Sequence, residues 1–174
     1  SADVPMKGLA YMLRSAAELK NEVPELKLIV LGRLKENGNT AKLIYELGIR
    51  DLVTFYSDLS SYKIAELYAR ATCAVVPSIY EGFGLPAGEA MACSVPVITT
   101  DGGALPEVVG DSGLIVPVRN HKAISNALRR MLQDEDLRIT LGKKGMARIH
   151  KHFSWEVAAE KMVKIYRSIM KEQQ

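Results

Sequence analysis

The sequence predicts an α/β fold built on a doubly wound parallel sheet. Short apolar runs alternate along the chain with longer segments in which apolar residues recur every three or four positions. The first pattern is typical of buried strands and the second of amphipathic helices. Strands that alternate with helices favour parallel pairing, with helices on both faces of the sheet. The length of 174 residues is that of one domain.

Composition narrows the class of protein. Apolar residues make up 48% of the chain and charged residues 25%, which is ordinary for a globular domain and excludes disorder, collagen and a disulfide scaffold. The longest apolar run, residues 9–13, is far below the ~20 residues that span a bilayer. No signal peptide is evident at the N-terminus. We therefore expect a cytoplasmic location.

The net charge of +3 is too small to indicate a nucleic-acid partner. Its distribution is uneven, because residues 129–174 carry 11 basic and 6 acidic side chains, against 12 and 14 in residues 1–128. We interpret the excess of basic side chains in residues 129–174 as a solvated helix face. Peripheral contact with an anionic membrane surface, such as the inner face of a cell membrane, is the alternative.

The cysteines and histidines form no metal-ligand pattern. Cys73 and Cys93 lie in apolar or small-residue runs and are interpreted as free thiols. His121, His150 and His152 have no cysteine or histidine partner at metal-ligand spacing. The sequence therefore predicts neither a metal nor a cofactor.

The first half of the chain alternates helix and strand. Residues 9–19 carry apolar side chains at helical spacing, and the apolar run at 26–31 predicts a buried strand that ends at Gly32. A helix at 40–47 follows, with Thr40 as its N-cap and Gly48 as its end. The remaining elements of this half are a strand at 52–56, a helix at 62–70 and a strand at 73–76.

The second half continues the alternation and ends in helices. Its elements are a helix at 85–93, a strand at 95–99, a helical turn at 105–109, a strand at 113–116 and helices at 121–132 and 135–150. The last helix carries one apolar stripe, formed by Trp155, Ala158, Met162, Tyr166 and Ile169. A doubly wound unit normally begins with a central strand. We expect that strand to lie upstream, since this chain opens directly on a helix; a unit without it is the alternative.

The most informative stretch follows the strand at 73–76. In an open parallel sheet, ligands bind beyond the carboxyl ends of the strands. Here Gly82 and Gly84 let backbone amides approach a ligand, and the next helix points its positive end at the same place, which suits a phosphate. The flanking carboxylates of Glu81 and Glu89 suit sugar or ribose hydroxyls. A helix cap at Glu81 and a plain surface position for Glu89 are the alternatives.

Residues 81–98 read Glu-Gly-Phe-Gly-Leu-Pro-Ala-Gly-Glu-Ala-Met-Ala-Cys-Ser-Val-Pro-Val-Ile. This segment resembles the signature of the retaining nucleotide-sugar glycosyltransferases known as glycosyl transferases group 1 (family four), which is two glutamates with seven residues between them. The similarity extends to Lys7-Gly8, to residues 102–109 and to Phe153-Ser154-Trp155. It implies a GT-B architecture of two Rossmann-like domains, of which this chain matches the C-terminal, donor-binding half.

The resemblance also implies roles for single residues. Glu89 would hold the ribose hydroxyls of the donor nucleotide. Glu81, the catalytic residue, would contact hydroxyls of the transferred sugar near the reacting carbon, and Lys7 would neutralise the diphosphate. Backbone amides would bind the sugar and the diphosphate along the segment Gly82, Phe83, Gly84 and Leu85. The family needs no metal for this chemistry.

One position departs from the family pattern. Members commonly carry Gly-Arg ahead of the lysine, with the arginine on the diphosphate, whereas Ser1 and Ala2 stand there in this chain. Arg33, after the next strand, is a candidate substitute, and an exposed loop arginine is the alternative. The nucleotide base would lie near the turns after the strands that end at Leu31 and Tyr56.

Together these features predict the donor-binding domain of a hexosyltransferase. Residues 1–174 form one domain, in which residues 154–174 are a helix that packs on an acceptor-binding domain outside this chain. The alternatives are a sugar-nucleotide epimerase, a glycan phosphorylase and a non-catalytic nucleotide-binding or assembly module. A nicotinamide dehydrogenase is disfavoured, because no Gly-x-Gly-x-x-Gly follows a strand.

Overall fold

The protein is described here by a computed structural model that covers residues 2–172. Within them, five β-strands alternate with eight α-helices. The strands are β1 (Leu28–Leu31), β2 (Val53–Tyr56), β3 (Ala74–Val76), β4 (Val97–Thr100) and β5 (Gly113–Val116). The helices are α1 (Leu9–Leu19), α2 (Asn39–Glu46), α3 (Ser61–Ala69), α4 (Leu85–Ala92), α5 (Leu105–Val109), α6 (His121–Gln133), α7 (Glu135–His152) and α8 (Trp155–Glu172). The predicted order of elements is confirmed, with boundaries that differ by two residues or fewer.

The strands form two parallel sheets. β1 pairs with β2, and β3, β4 and β5 pair in that order. Among residues 2–172, no strand joins β1 to β3, although Leu28 of β1 and Val75 of β3 pack on the same buried cluster. The parallel α/β class is confirmed, but the expected sheet is divided at this gap. The central strand expected upstream stays a prediction.

Helices cover both faces of the three-stranded sheet, as a doubly wound fold requires. Successive side chains of β4 point to opposite faces. Ile98 packs in a cluster with residues of α1 and α6, whereas Val97 packs in a cluster with residues of α4 and α5. These two layers hold the carboxyl ends of the strands, and the loops that follow them, along one edge of the sheet.

The start of α2 differs from the prediction. The N-cap predicted at Thr40 is wrong, because α2 begins one residue earlier and Gly38 occupies its N-cap without a side chain. A remote carboxylate supplies the missing acceptor: Oδ1 of Asp3 accepts a hydrogen bond from the backbone N–H of Thr40 at 2.9 Å. This bond holds the pKa of Asp3 below its usual range. The contact fixes the N-terminal segment across the end of β1.

The last helix, α8, leaves apolar surface exposed. Trp155 is 87% exposed, and Met162, Tyr166 and Ile169 of the predicted stripe are exposed as well. The stripe therefore faces solvent rather than the core of the described chain. None of the helices in residues 2–172 combines the length and the apolar character that a membrane span requires.

Candidate functional site

Two loops meet at the carboxyl ends of β3 and β4. Residues 77–84 follow β3, and residues 101–104 follow β4. The backbone N–H of Ala104 donates to the carbonyl of Glu81 at 2.9 Å, and Glu81 pairs with Gly103 in an isolated parallel bridge. The loop after β3 is thus held by its neighbour, so the side chain of Glu81 emerges from a fixed backbone.

The helix that follows this loop, α4, begins with an open N-terminus. Gly84 occupies its N-cap with φ +95°, and a Cβ there would lie 2.6 Å from Cδ2 of Leu105, so glycine is required. No side chain caps this helix. Pro86 has no N–H, and the N–H of Ala87 already donates to the carbonyl of Gly84. The N–H of Leu85, which has no partner among residues 2–172, and the positive end of the helix dipole are therefore available to an anion. The absence of a side-chain cap on α4 also excludes the alternative in which Glu81 caps it.

Three further residues of the predicted donor segment surround this N-terminus. Phe83 and Leu85 are exposed. Gly82 is exposed too, and a Cβ there would meet nothing within 4 Å. A side chain at Gly82 would fit sterically, but it would occupy the open space in front of the loop. Gly82, Phe83 and Leu85 are thus exposed beside the buried Gly84 at the start of α4.

A tight turn carries Lys7 to the same surface. Gly8 follows it with φ +67°, and its α-carbon lies so close to the carbonyl of Pro77 that a Cβ would collide with that oxygen. Next to this contact, the N–H of Ile79 donates to the carbonyl of Met6 at 2.8 Å. These contacts set the N-terminal segment directly against the loop that follows β3.

Lys7 and Glu81 form an ion pair at the centre of the site. Nζ of Lys7 lies 2.7 Å from Oε1 of Glu81, and the hydroxyl of Ser78 donates to the same oxygen at 2.8 Å. The side chain of Glu81 is 12% exposed. Pro77-Ser78 is part of the family resemblance, but the sequence assigns no role to Ser78. Its signal is a polar residue two positions after a strand, which the fold buries.

Glu89 is not part of this ion pair. It is exposed on the second turn of α4, and its carboxylate makes no hydrogen bond or ion pair among residues 2–172. Nearby, the hydroxyl of Tyr68 on α3 donates to the carbonyl of Pro86 at 3.2 Å and ties α3 to the first turn of α4. Burial, and then the charge of Glu89, raise the pKa of Tyr68 to about 12. Tyr68 therefore keeps its proton, and this hydrogen bond, to a higher pH than an ordinary tyrosine.

A second concave surface lies at the carboxyl ends of β1 and β2. This cavity of about 350 Å³ is lined by Leu31, Gly32, Arg33, Tyr56, Ser57, Asp58, Leu59 and Ile64. The guanidinium of Arg33 donates to Oδ2 of Asp58 at 2.7 Å, and both side chains are exposed. That bond is the main cause that lowers the pKa of Asp58. Arg33 is thus an exposed loop arginine paired with a carboxylate, and its part as a substitute for the family arginine stays a prediction.

The thiols and carboxylates show no metal-ligand arrangement. In the part of the chain that the structure describes, no group of three or more histidine, cysteine, aspartate or glutamate residues could hold a metal ion. Cys73 and Cys93 are free, and burial raises the pKa of Cys73 to about 11. The chemistry that requires no metal stays a prediction.

Comparison with known proteins identifies the family. The family model described as glycosyl transferases group 1 matches residues 1–148. The chain belongs to this family. It is 42% identical over 170 residues to the MMP alpha-(1->4)-mannosyltransferase of Mycolicibacterium hassiacum, a match that covers 95% of this chain and 41% of that protein. The chain thus spans about two fifths of the length of this curated relative.

Solved structures of glycosyltransferases share the fold. A sucrose-phosphate synthase from Thermosynechococcus elongatus matches with a TM-score of 0.85 and 34% identity, over 97% of this chain and 43% of that one. The C-terminal domain of a glycosyl transferase group 1 family protein (LpcC) from Francisella tularensis matches with a TM-score of 0.77 and 26% identity, over 87% of this chain and 82% of that one. The predicted C-terminal Rossmann-like domain of a GT-B protein is thereby confirmed.

Proposed function

We propose that this chain is the donor-binding domain of a retaining glycosyltransferase. The full protein moves a hexose from a nucleoside diphosphate sugar to a glycan, a lipid or a small molecule, and the configuration at the anomeric carbon is retained. The ion pair of Lys7 and Glu81 beside the open N-terminus of α4 carries the proposal. An ammonium group and a helix N-terminus suit a diphosphate, whereas a carboxylate suits sugar hydroxyls. A nucleotide sugar presents both kinds of group.

Each part of the donor has a matching group in the site. Amides of the segment 82–85 and the ammonium of Lys7 bind the diphosphate. When the bond between the anomeric carbon and the diphosphate oxygen breaks, its electron pair leaves with the diphosphate, and the same groups stabilise that charge. Glu81 accepts hydrogen bonds from hydroxyls of the transferred sugar, and Glu89 accepts them from the ribose.

The acceptor belongs to another part of a longer protein. The chain matches only 41% of the mannosyltransferase relative, which leaves the length of a second domain. The exposed apolar stripe of α8 is the surface that packs on this acceptor-binding domain. The isolated chain therefore binds the donor weakly and transfers nothing, so efficient transfer by this chain alone would refute the half-enzyme proposal.

Calorimetric titration of the chain with UDP, GDP, ADP and their sugar conjugates tests the proposal. We expect one nucleotide to bind in preference, and Glu89→Gln to weaken its binding by roughly tenfold, the effect of losing a charge-assisted hydrogen bond. Glu46→Gln is the matched control, because Glu46 is an exposed glutamate at the last turn of α2. Failure of all three nucleotides to bind, or equal effects of the two variants, would contradict the proposal.

A further inference from the structure

Ser78 is a buried hydroxyl whose partner is the central carboxylate of the site. It lies two residues after β3 and is 1% exposed. Its hydroxyl donates to Oε1 of Glu81 at 2.8 Å, the oxygen that also accepts from Lys7. Buried hydroxyls commonly bond to backbone carbonyls nearby. Here the hydroxyl bonds to the carboxylate of Glu81, which the proposed function places against the hydroxyls of the transferred sugar.

The backbone of Ser78 is itself held on two sides. Its carbonyl accepts a hydrogen bond from the hydroxyl of Thr100, the buried last residue of β4. The next residue, Ile79, donates its N–H to the carbonyl of Met6. A donor fixed in this way can hold a flexible glutamate side chain in one rotamer.

Lys7 and Ser78 both donate hydrogen bonds to Glu81, but they respond differently when a nucleotide sugar binds. Both bond to Oε1, and Oε2 accepts no hydrogen bond from residues 2–172. The side chain of Lys7 is 54% exposed and carries the charge that a diphosphate attracts. Once Lys7 moves to the diphosphate, Ser78 is the remaining anchor on Oε1.

We infer that Ser78 is a positioning residue that holds Oε1 of Glu81, so that Oε2 faces the hydroxyls of the transferred sugar. This inference rests on the proposed function. It predicts different effects on the binding of the sugar part and of the nucleotide part of one ligand, because Glu81 contacts the sugar and not the nucleotide. Loss of the Ser78 hydroxyl weakens the sugar contribution to binding and leaves the nucleoside diphosphate contribution intact.

The test compares the binding of a nucleoside diphosphate with that of its sugar conjugate. We expect Ser78→Ala to weaken the conjugate by roughly tenfold and the diphosphate by less than about twofold. Glu81→Ala removes the acceptor, so Ser78→Ala combined with it should cause no loss beyond that of Glu81→Ala alone, since residues that act as one unit are not additive. Ser15→Ala is the matched control, because Ser15 is a buried serine of α1 whose hydroxyl donates to the backbone carbonyls of Tyr11 and His121 and not to Glu81; it should leave the ratio of the two affinities unchanged.

Each contrary result has a distinct meaning. Equal weakening of both ligands, full additivity with Glu81→Ala, or no effect of Ser78→Ala would overturn the positioning role while the proposed function stands. Wild-type chain that binds no nucleoside diphosphate would overturn the proposed function, and the inference with it. If Ser78→Ala does not fold, Ser78→Cys replaces the hydroxyl with a weak thiol donor of similar shape, and the same separation of the two ligands is expected.

Discussion

The ring of Phe83 meets the ring of Phe153 edge-on, with their centroids 5.6 Å apart and their planes at 77°. This contact joins the loop that precedes α4 to the joint between α7 and α8. The guanidinium of Arg148 lies 5.9 Å from the centroid of Phe153 and donates to the carbonyls of Glu107 and Val108 at the end of α5. The candidate donor loop is therefore supported by the C-terminal part of the chain, 70 positions away.

Replacement of Phe153 by leucine should loosen the candidate donor loop. An edge-to-face pair contributes about 1 kcal/mol beyond the area that it buries, so Phe153→Leu should lower the free energy of unfolding by about that amount. It should also weaken binding of a nucleotide sugar. Trp155→Leu is the control, because Trp155 is two residues away and exposed; its effect should stay within about 0.5 kcal/mol. Denaturant unfolding and titration measure both effects, and indistinguishable variants would contradict the supporting role of Phe153.

The raised pKa of Tyr68 predicts a loss of stability at high pH. Its pKa is about 12 in the folded chain, against an ordinary value of 10.0. The folded state therefore keeps a proton that the unfolded state loses, so this stabilisation is complete below pH 10 and declines as the pH rises towards 12. We expect a decline of about 1 to 2 kcal/mol, because the side chain stays partly accessible to solvent.

Denaturant unfolding between pH 9 and 11.5 measures this effect. Tyr68→Phe should be less stable at neutral pH, because the hydrogen bond to Pro86 is lost, and should show a shallower decline with pH. Tyr45→Phe is the control, since Tyr45 is exposed on α2 and its removal should leave the slope unchanged. Identical slopes in all three proteins would exclude Tyr68 as the cause.

Two adjacent threonines of β4 should respond in opposite directions to the same substitution. Both are fully buried, but Oγ1 of Thr99 has no hydrogen-bond partner among residues 2–172, whereas Oγ1 of Thr100 donates to the carbonyl of Ser78. A buried unpaired hydroxyl costs about 1 to 3 kcal/mol. Thr99→Val should therefore stabilise the fold by about 1 kcal/mol, and Thr100→Val should destabilise it by about 1 to 2 kcal/mol. Changes of the same sign in thermal and denaturant unfolding would show that this hydrogen-bond assignment is wrong.

The sequence predicts the elements well because their causes are local. The spacing of apolar residues in α1 and the alternation around β4 depend on neighbours within a few positions, and α1 and α5 have the predicted boundaries. The N-cap of α2 was predicted wrongly because its acceptor, Asp3, lies 37 positions before Thr40. No local pattern reports such a contact.

The candidate site also has parts that depend on local sequence and parts that depend on contacts between distant residues. The anion-binding geometry before α4 follows from glycines and a helix start, which a single segment contains. The ion pair between Lys7 and Glu81 spans 74 positions, and the resemblance, not the spacing, placed both residues in one site. The role of Ser78 depends on burial and on which oxygen it meets, and both are properties of the folded chain.

The N-terminal segment contacts the chain just beyond both β1 and β3. Ala2 donates its N–H to the carbonyl of Arg33, just beyond β1, and the carbonyl of Met6 accepts from Ile79, just beyond β3. The segment from Ala2 to Met6 therefore lies between the ends of the two strands. An extended segment that leads into Ala2 would run between β1 and β3, parallel to both.

A strand added in this position should stabilise the fold. Ile29 and Leu31 of β1 are exposed. A parallel neighbour would cover apolar surface and pair with the edges of β1 and β3 that no strand in residues 2–172 occupies. We expect a Val-Ile-Val-Ile-Val extension before the first residue to raise the thermal midpoint and to slow amide hydrogen exchange in β1 and β3. A Gly-Ser-Gly-Ser-Gly extension of equal length is the control, because it has little strand propensity. If both extensions leave exchange in β1 and β3 unchanged, the gap does not accept a strand, and the edge of β1 is a true edge of this fold.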